Sequence, residues 1–178
     1  TWARYKALVV SDTRIANGRP IIARERPVLG RVRDRFGVDI APIAGIWGIE
    51  SGFGADTGKF RVIEALATLA WDGRRAQFFR GELMAALKIL NSGDISPAQM
   101  LGSYAGAMGQ PQFMPSSVRR YAVDASSKGW RDLWSDWADV LGSIANYLVA
   151  QGWRTLVIWE CELKDEDALM QRLASFLG

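Results

Sequence analysis

Residues 45–54 read Gly-Ile-Trp-Gly-Ile-Glu-Ser-Gly-Phe-Gly, and the one ionisable side chain among them is Glu50. A helix over residues 42–51 places Ile43, Ile46 and Glu50 on one stripe, with Trp47 beside them. A carboxylate on so apolar a stripe is either paired or kept protonated, because its charged form is poorly solvated. Its place in the last helical turn, at the negative end of the helix dipole, also disfavours the anion. Both effects predict a raised pKa for Glu50, which suits protonation of a glycosidic oxygen in a cleft. The same spacing fits equally a buried glutamate bonded to backbone amides.

Two further stretches carry polar groups in unusual settings. Residues 102–117, Gly-Ser-Tyr-Ala-Gly-Ala-Met-Gly-Gln-Pro-Gln-Phe-Met-Pro-Ser-Ser, are small and polar with no aliphatic run. Their glycines allow backbone to approach a ligand, and Ser103, Tyr104 and Gln112 bring hydrogen-bonding groups. The Gly-Lys-Ser/Thr ending of a phosphate loop is missing, so nucleotide binding is not supported. A tight connection between helices explains the composition as well. Gly142, Ser143, Asn146 and Ala150 form a small, polar stripe that reads either as a groove wall or as a surface packed on another helix.

Absences narrow the chemistry. The chain has no histidine, which excludes Ser-His-Asp and Cys-His catalysis, imidazole proton shuttling and histidine metal sites. Its single cysteine, Cys161, permits neither an internal disulfide nor a thiolate zinc cluster and reads as inert packing. Acid–base chemistry without a cofactor then falls to a carboxylate, ahead of tyrosine or lysine. Twenty-two Lys and Arg against 19 Asp and Glu give a net charge of +3, too small to select nucleic acid over a glycan bearing peptide carboxylates. With 49% hydrophobic and 23% charged residues, the chain is composed as a globular protein. Eight tryptophans and seven phenylalanines fit a large aromatic core or a groove that stacks on sugar faces. No run of about 18 apolar residues is present and no signal peptide opens the chain at Thr1, as expected of a processed or trimmed start.

The elements that must position these residues are helical almost throughout. Leu29, Val32 and Phe36 mark a helix that Pro27 opens or kinks and Gly37 stops. A second helix enters near Asp39 and Pro42 and carries Glu50. Ile63, Leu66 and Ala70 mark a third; Phe79, Leu83, Leu87 and Leu90 mark a fourth, ended by Asn91-Ser92-Gly93. Ser96-Pro97-Ala98-Gln99 reads as a capping box that opens a helix, and Pro115 opens another toward Tyr121. Asp136 to Gln151 forms the clearest helix, capped by Asp136, striped by Leu141, Ile144, Ala145 and Leu148, and ended by Gly152. Thr155 to Trp159 is β-branched and apolar enough for a short strand, and Asp165 to Leu177 forms a last helix. No domain boundary is visible, so residues 1–178 read as a single domain whose residues 153–178 form a short tail.

Together these segments resemble the membrane-bound lytic murein transglycosylase B family (glycoside hydrolase family 103). The resemblance runs from Trp2 to about Trp159. It rests on Glu50-Ser51-x-Phe53, on Arg61-Val62-Ile63-Glu64-Ala65-Leu66-Ala67-Thr68-Leu69, on the 102–117 stretch, and on Gly142-Ser143-Ile144-Ala145-Asn146-Tyr147, all in the family's order. It implies a mainly α, lysozyme-like fold with a glycan groove. It also implies cleavage of the β-1,4 bond between N-acetylmuramic acid and N-acetylglucosamine, with 1,6-anhydromuramic acid formed. Glu50 matches the single acid/base. Ser103, Tyr104 and Gln112 match sugar-contacting positions, Asn146 and Tyr147 the opposite wall, and Arg74 and Arg75 an arginine pair at the groove border, in a segment one residue shorter here.

The implied partner is the peptidoglycan strand, met by a monomer in the periplasm or cell envelope, with envelope association left to segments outside this chain. Neither nucleic acid nor a nucleotide is expected, nor any cofactor. Some family members carry an EF-hand-like calcium loop where this chain has Asp124 to Asp132. Lys128 occupies a ligand position there, so no bound metal is expected. The rival readings are a lysozyme-type hydrolase, which needs a positioned water and a second carboxylate, and a non-catalytic glycan-binding module.

Overall fold

A computed structural model describes residues 1–153, 156, 158 and 163–177. Among them the order is α1 (Trp2–Val9), α2 (Asp12–Arg24), α3 (Arg26–Phe36), α4 (Ile40–Ser51), β1 (Phe60–Arg61), α5 (Val62–Asp72), α6 (Ala76–Ser92), β2 (Leu101–Gly102), α7 (Pro115–Tyr121), α8 (Trp137–Ala150) and α9 (Glu166–Leu177). The mainly helical expectation holds. Of the strand expected at 155–159 only residues 156 and 158 are described, and the lone Cys161 lies outside the described residues.

Local signals account for most boundaries. Pro27 sits in the first turn of α3, where its missing N–H costs nothing, so it opens the helix rather than kinking it. Gly37 ends α3 and Gly93 ends α6, both in the left-handed conformation. The Asp136 side chain accepts from Ala138 N and Asp139 N at the start of α8. The capping box at residues 96–99 opens no helix, which corrects the sequence expectation. Ser96 Oγ donates to the Gln99 side chain instead, and Gln99 N and Met100 N both turn back to Ser96 O before the chain enters β2. Tertiary pairing of β2 with β1 outweighs a local helix start there.

Two apolar clusters form the core. Leu29, Val32, Val38, Ile43, Trp47, Val140, Leu141, Ile144 and Leu148 join α3, α4 and α8. Val62, Leu66, Ala86, Ile89, Met100, Met108, Phe113, Val118 and Leu133 join α5, α6, α7 and the 100–113 segment. The aromatic surplus is divided: Trp47 is fully buried, with Phe53 and Trp137 edge-on at 5.4 and 4.9 Å, whereas Trp2, Trp71, Trp130 and Trp153 are exposed. Gln110, itself buried, links the two clusters. Its Oε1 accepts from Trp47 Nε1 and its Nε2 donates to Trp134 O, both at 2.7 Å.

The stripe Gly142-Ser143-Asn146 packs in part on other helices: Gly142 faces the Phe36 ring of α3, and Asn146 bonds to the end of α7. It also packs on the chain that leaves α7: Ser143 Oγ accepts from Val123 N, Asn146 Nδ2 donates to Tyr121 O, and Gly142 lies against Ala125 and Val123. Small side chains are needed because an extended segment lies closer to a helix axis than a helix does.

Candidate active site

The end of α4 is built to present Glu50. Gly52, left-handed at φ 59°, returns its N–H to Gly48 O, and Phe53 N reaches Trp47 O. Ser51 Oγ donates to Trp47 O and accepts from Gly54 N. The chain then reverses, and the Phe53 ring folds over the bare faces of Gly48 and Gly18, where an added Cβ would lie 2.6 and 2.3 Å from ring carbons. The motif around Glu50 is therefore a helix terminator whose phenylalanine anchors the terminus between α2 and α4.

Glu50 itself is open to solvent on one side, which corrects the expectation of a buried acid. Ile43 and Trp47 point into the core, but Glu50 lies one to two turns further on, where the stripe runs past the core edge into a groove. The groove walls still strip enough water from the carboxyl to raise its pKa above the ordinary glutamate range. No described residue forms a hydrogen bond or an ion pair with it.

The groove encloses about 510 Å³ and is lined by Glu50, residues 55–60, Ser103, Tyr104 and Gln112. Four of the eight expected site residues thus share one space. Ser103 Oγ accepts from Ala107 N at 3.1 Å and Ala105 N at 3.3 Å, which leaves its hydroxyl hydrogen for a ligand acceptor. Gln112, at φ 50°, donates its amide to Thr57 O (3.1 Å) and Gly109 O (2.9 Å), ties the two walls together and keeps Oε1 as its remaining polar atom. Tyr104 is 70% exposed at the rim. Gly58, at φ 85°, lets the walls meet: a Cβ there would stand 2.2 Å from the Gly102 carbonyl.

The other four lie outside this lining. Asn146 is committed to Tyr121 O, and Tyr147 packs on Phe113 and Tyr121 at 5.4 and 5.2 Å, behind the Gln112 wall. Arg74 pairs with Asp72 at 2.8 Å, and Arg75 lies 4.4 Å over the Phe78 ring at the start of α6. Conversely, Asp56, Thr57, Lys59 and Phe60 line the groove without having been expected there. Ala-Asp-Thr-Gly-Lys looks like any polar turn, and nothing in its composition marks a wall. Asp56 is a second carboxylate in the groove; its Oδ1 accepts from Gly58 N at 3.0 Å and its own N–H donates to Ser51 O. A hollow of about 590 Å³ against α9 is lined, among the described residues, by Leu156, Ala168, Gln171, Arg172, Ser175 and Phe176.

The 124–132 loop does not fit a divalent ion as it stands. Lys128 Nζ lies between Asp136 Oδ2 (2.5 Å) and Asp139 Oδ2 (2.9 Å), and backbone N–H groups occupy both oxygens of Asp124. Among the described residues no group of three ligating side chains is free to hold a metal. No described helix is long and apolar enough to cross a membrane.

Residues 1–176 match the family described as the transglycosylase SLT domain. Over 153 residues, 85% of this chain, the sequence is 41% identical to membrane-bound lytic murein transglycosylase B of Escherichia coli. The chain spans about two fifths of that relative, 42% of its length. SltB3 of Pseudomonas aeruginosa, solved with NAG-anhNAM-pentapeptide and again with NAG-NAM-pentapeptide, superposes with a TM-score of 0.84 at 44% identity, over 88% of this chain and 42% of that one. The Escherichia coli lytic transglycosylase Slt35, solved in complex with calcium, superposes with a TM-score of 0.81 at 41% identity, over 86% of this chain and 49% of that one.

Proposed function

The chain belongs to the transglycosylase SLT domain family, and from that premise we propose that it is a lytic murein transglycosylase acting on peptidoglycan strands. The observation that carries the reading is Glu50: a carboxyl of raised pKa, without a partner among the described residues, in a groove that also presents the hydrogen-bonding groups of Ser103, Tyr104 and Gln112. SltB3 holds both an anhydro and an ordinary muramyl ligand, which supports the same substrate and product here.

Protonated Glu50 donates to the glycosidic oxygen as the bond breaks and positive charge grows at the anomeric carbon. The substrate's own N-acetyl oxygen stabilises that charge. Glu50, now anionic, takes the proton of the muramyl 6-hydroxyl, whose oxygen closes on the anomeric carbon. Being attached to the sugar, that hydroxyl has an effective concentration that reaches ~10⁵ M in well-oriented cases, far above that of water. Ser103, Tyr104 and Gln112 hold the sugar. Tyr147 braces the far wall through Phe113, Asn146 supports it through Tyr121, and Arg74 and Arg75 meet longer strands beyond the enclosed space. The enzyme works as a monomer in the periplasm or envelope.

Asp56 favours a second reading, a hydrolase in which that carboxylate activates water. Its bond to Gly58 N instead gives it the job of shaping the 55–60 turn. Digestion of purified peptidoglycan followed by mass spectrometry separates the two. Fragments one water lighter than lysozyme products, still formed by Asp56→Asn, support the transglycosylase. Reducing-end fragments that vanish in Asp56→Asn establish the hydrolase.

A further inference from the structure

The loop between α7 and α8 is closed around a single cationic side chain. Asp139 is 0% exposed, and it accepts from Ala125 N, Ser126 N, Ser126 Oγ, Asp132 N and Lys128 Nζ. Asp136, the cap of α8, meets the same ammonium at 2.5 Å. Lys128 is 21% exposed, and the Trp130 ring lies 5.6 Å from its nitrogen on a third side. Burial works against the ammonium, but the two carboxylate bonds outweigh it and hold Lys128 above the ordinary lysine pKa. The carboxylates of Asp124 and Asp132 are filled by backbone and hydroxyl donors from within the loop.

We infer that the Lys128 ammonium is the loop's own covalently tethered cation, standing where a divalent ion would otherwise be required to neutralise Asp136 and Asp139. The geometry is that of a loop closed on one charge: Asp136 and Asp139 both meet the Lys128 ammonium, which cross-links the loop to the first turn of α8, while Asp124 and Asp132 turn to donors within the loop. An ammonium supplies three hydrogen bonds in place of six or more coordination positions. The remaining carboxylate oxygens are accordingly taken by N–H groups.

This closure reaches the groove through the backbone that follows. Leu133 O accepts from Gln110 N, Trp134 O accepts from Gln110 Nε2, and Gln110 Oε1 holds Trp47 Nε1, one turn before Glu50 on α4. A domain that carries its own cation keeps this scaffold closed whatever the metal content of its surroundings.

Thermal melts of the whole chain test the inference without reference to its enzymology. The wild type should melt at the same temperature in EDTA and in millimolar calcium. Lys128→Met keeps the length but loses the charge, and should melt about 5–10 °C lower because two carboxylates are left facing each other. Lys128→Ser opens space between the same carboxylates; its Tm should fall in EDTA and rise again with calcium. If Lys128→Ser does not fold in EDTA, refolding in calcium is the readout, and recovery of the native circular dichroism supports the inference. A calcium-dependent Tm in the wild type, an unchanged Tm in Lys128→Met, or a Lys128→Ser protein that calcium does not stabilise or refold overturns it.

Discussion

Glu50 and Asp139 are both carboxylates on helices that share the first core cluster, and the protein treats them in opposite ways. Asp139 is wholly buried, yet all of its acceptor capacity is used by an ammonium, a hydroxyl and three amides. Glu50 keeps one side open to water and is given no partner among the described residues. A satisfied charge cross-links structure and does no chemistry; an unsatisfied one at a groove keeps its proton available. Burial and partner count therefore both set the proposed catalytic acid apart from the structural one.

Exchanging each carboxylate for its amide tests this contrast most severely. Glu50→Gln should lower turnover by about 10²–10⁴-fold, the usual worth of a positioned acid or base, while glycan affinity persists. Its Tm should not fall. A carboxyl whose folded pKa is raised contributes stability below its unfolded pKa and loses it as pH rises, so a neutral amide costs nothing at neutral pH. Asp139→Asn should do the reverse, lowering Tm by several degrees because Lys128 and the loop amides lose the charge they converge on. Equal Tm losses in both variants would erase the distinction.

Acidity should pull the two regions apart as well. With Glu50 as the proposed acid, turnover should decline on the alkaline side, by up to about tenfold per pH unit, with a midpoint above the ordinary glutamate value of about 4.3. The loop fails in the other direction. Asp136 is pulled upward by burial but held below the ordinary range by Lys128, and Asp132 is likewise lowered by its serine and backbone donors. Stability from such groups is present above the unfolded carboxylate pKa and is lost as pH falls through the lowered folded values. A pH–rate profile and a pH–Tm profile of one preparation should therefore fall at opposite ends. Coincident declines would mean that turnover reports unfolding.

Gln110 is where the two regions touch, and it shows what was legible in the sequence. Helix ends at Gly37, Gly93 and Asp136 could be read from single residues because caps are local chemistry. Glu50 was legible because a carboxylate on an apolar stripe is costly, and Lys128 because an ammonium sits where an oxygen donor was expected. Its ion pairs with Asp136 and Asp139 were not foreseen. Gln110, Asp56 and Lys59 were not distinguishable, since their roles come from residues 24 and 63 positions away or from a turn of ordinary composition. The Ser96 capping box misled because β-pairing at Leu101 overrode it. Gln110→Leu should lower Tm by roughly 5–10 °C, since it strands Trp47 Nε1 and the Trp134 carbonyl without partners. Turnover should drop several-fold through loss of the α4 register, with KM for short fragments nearly constant. A Tm loss with unchanged turnover would show that the groove does not depend on the link.

The smallest expected effect concerns the groove border. Arg74 is held by Asp72 at 2.8 Å, stands almost free in solvent, and lies outside the space around Glu50. An ion pair so exposed contributes little to folding, because both side chains are well hydrated when apart. Arg74→Ala should therefore leave Tm unchanged. It should leave turnover of a disaccharide–peptide fragment unchanged too, because such a ligand fills the enclosed groove without reaching α6. Long strands differ. On the proposed function they continue past the rim, and their stem-peptide carboxylates should meet the positive charge of Arg74 and Arg75 there. Such a contact is made equally before and at the transition state, so its loss should raise KM about two- to threefold on polymeric peptidoglycan without changing kcat. The increase should shrink as salt is added, since charges this exposed are screened over about 10 Å at 0.1 M. An equal KM change on the short fragment would bring Arg74 into the Glu50 groove itself; no change on either substrate would remove the arginine pair from strand binding.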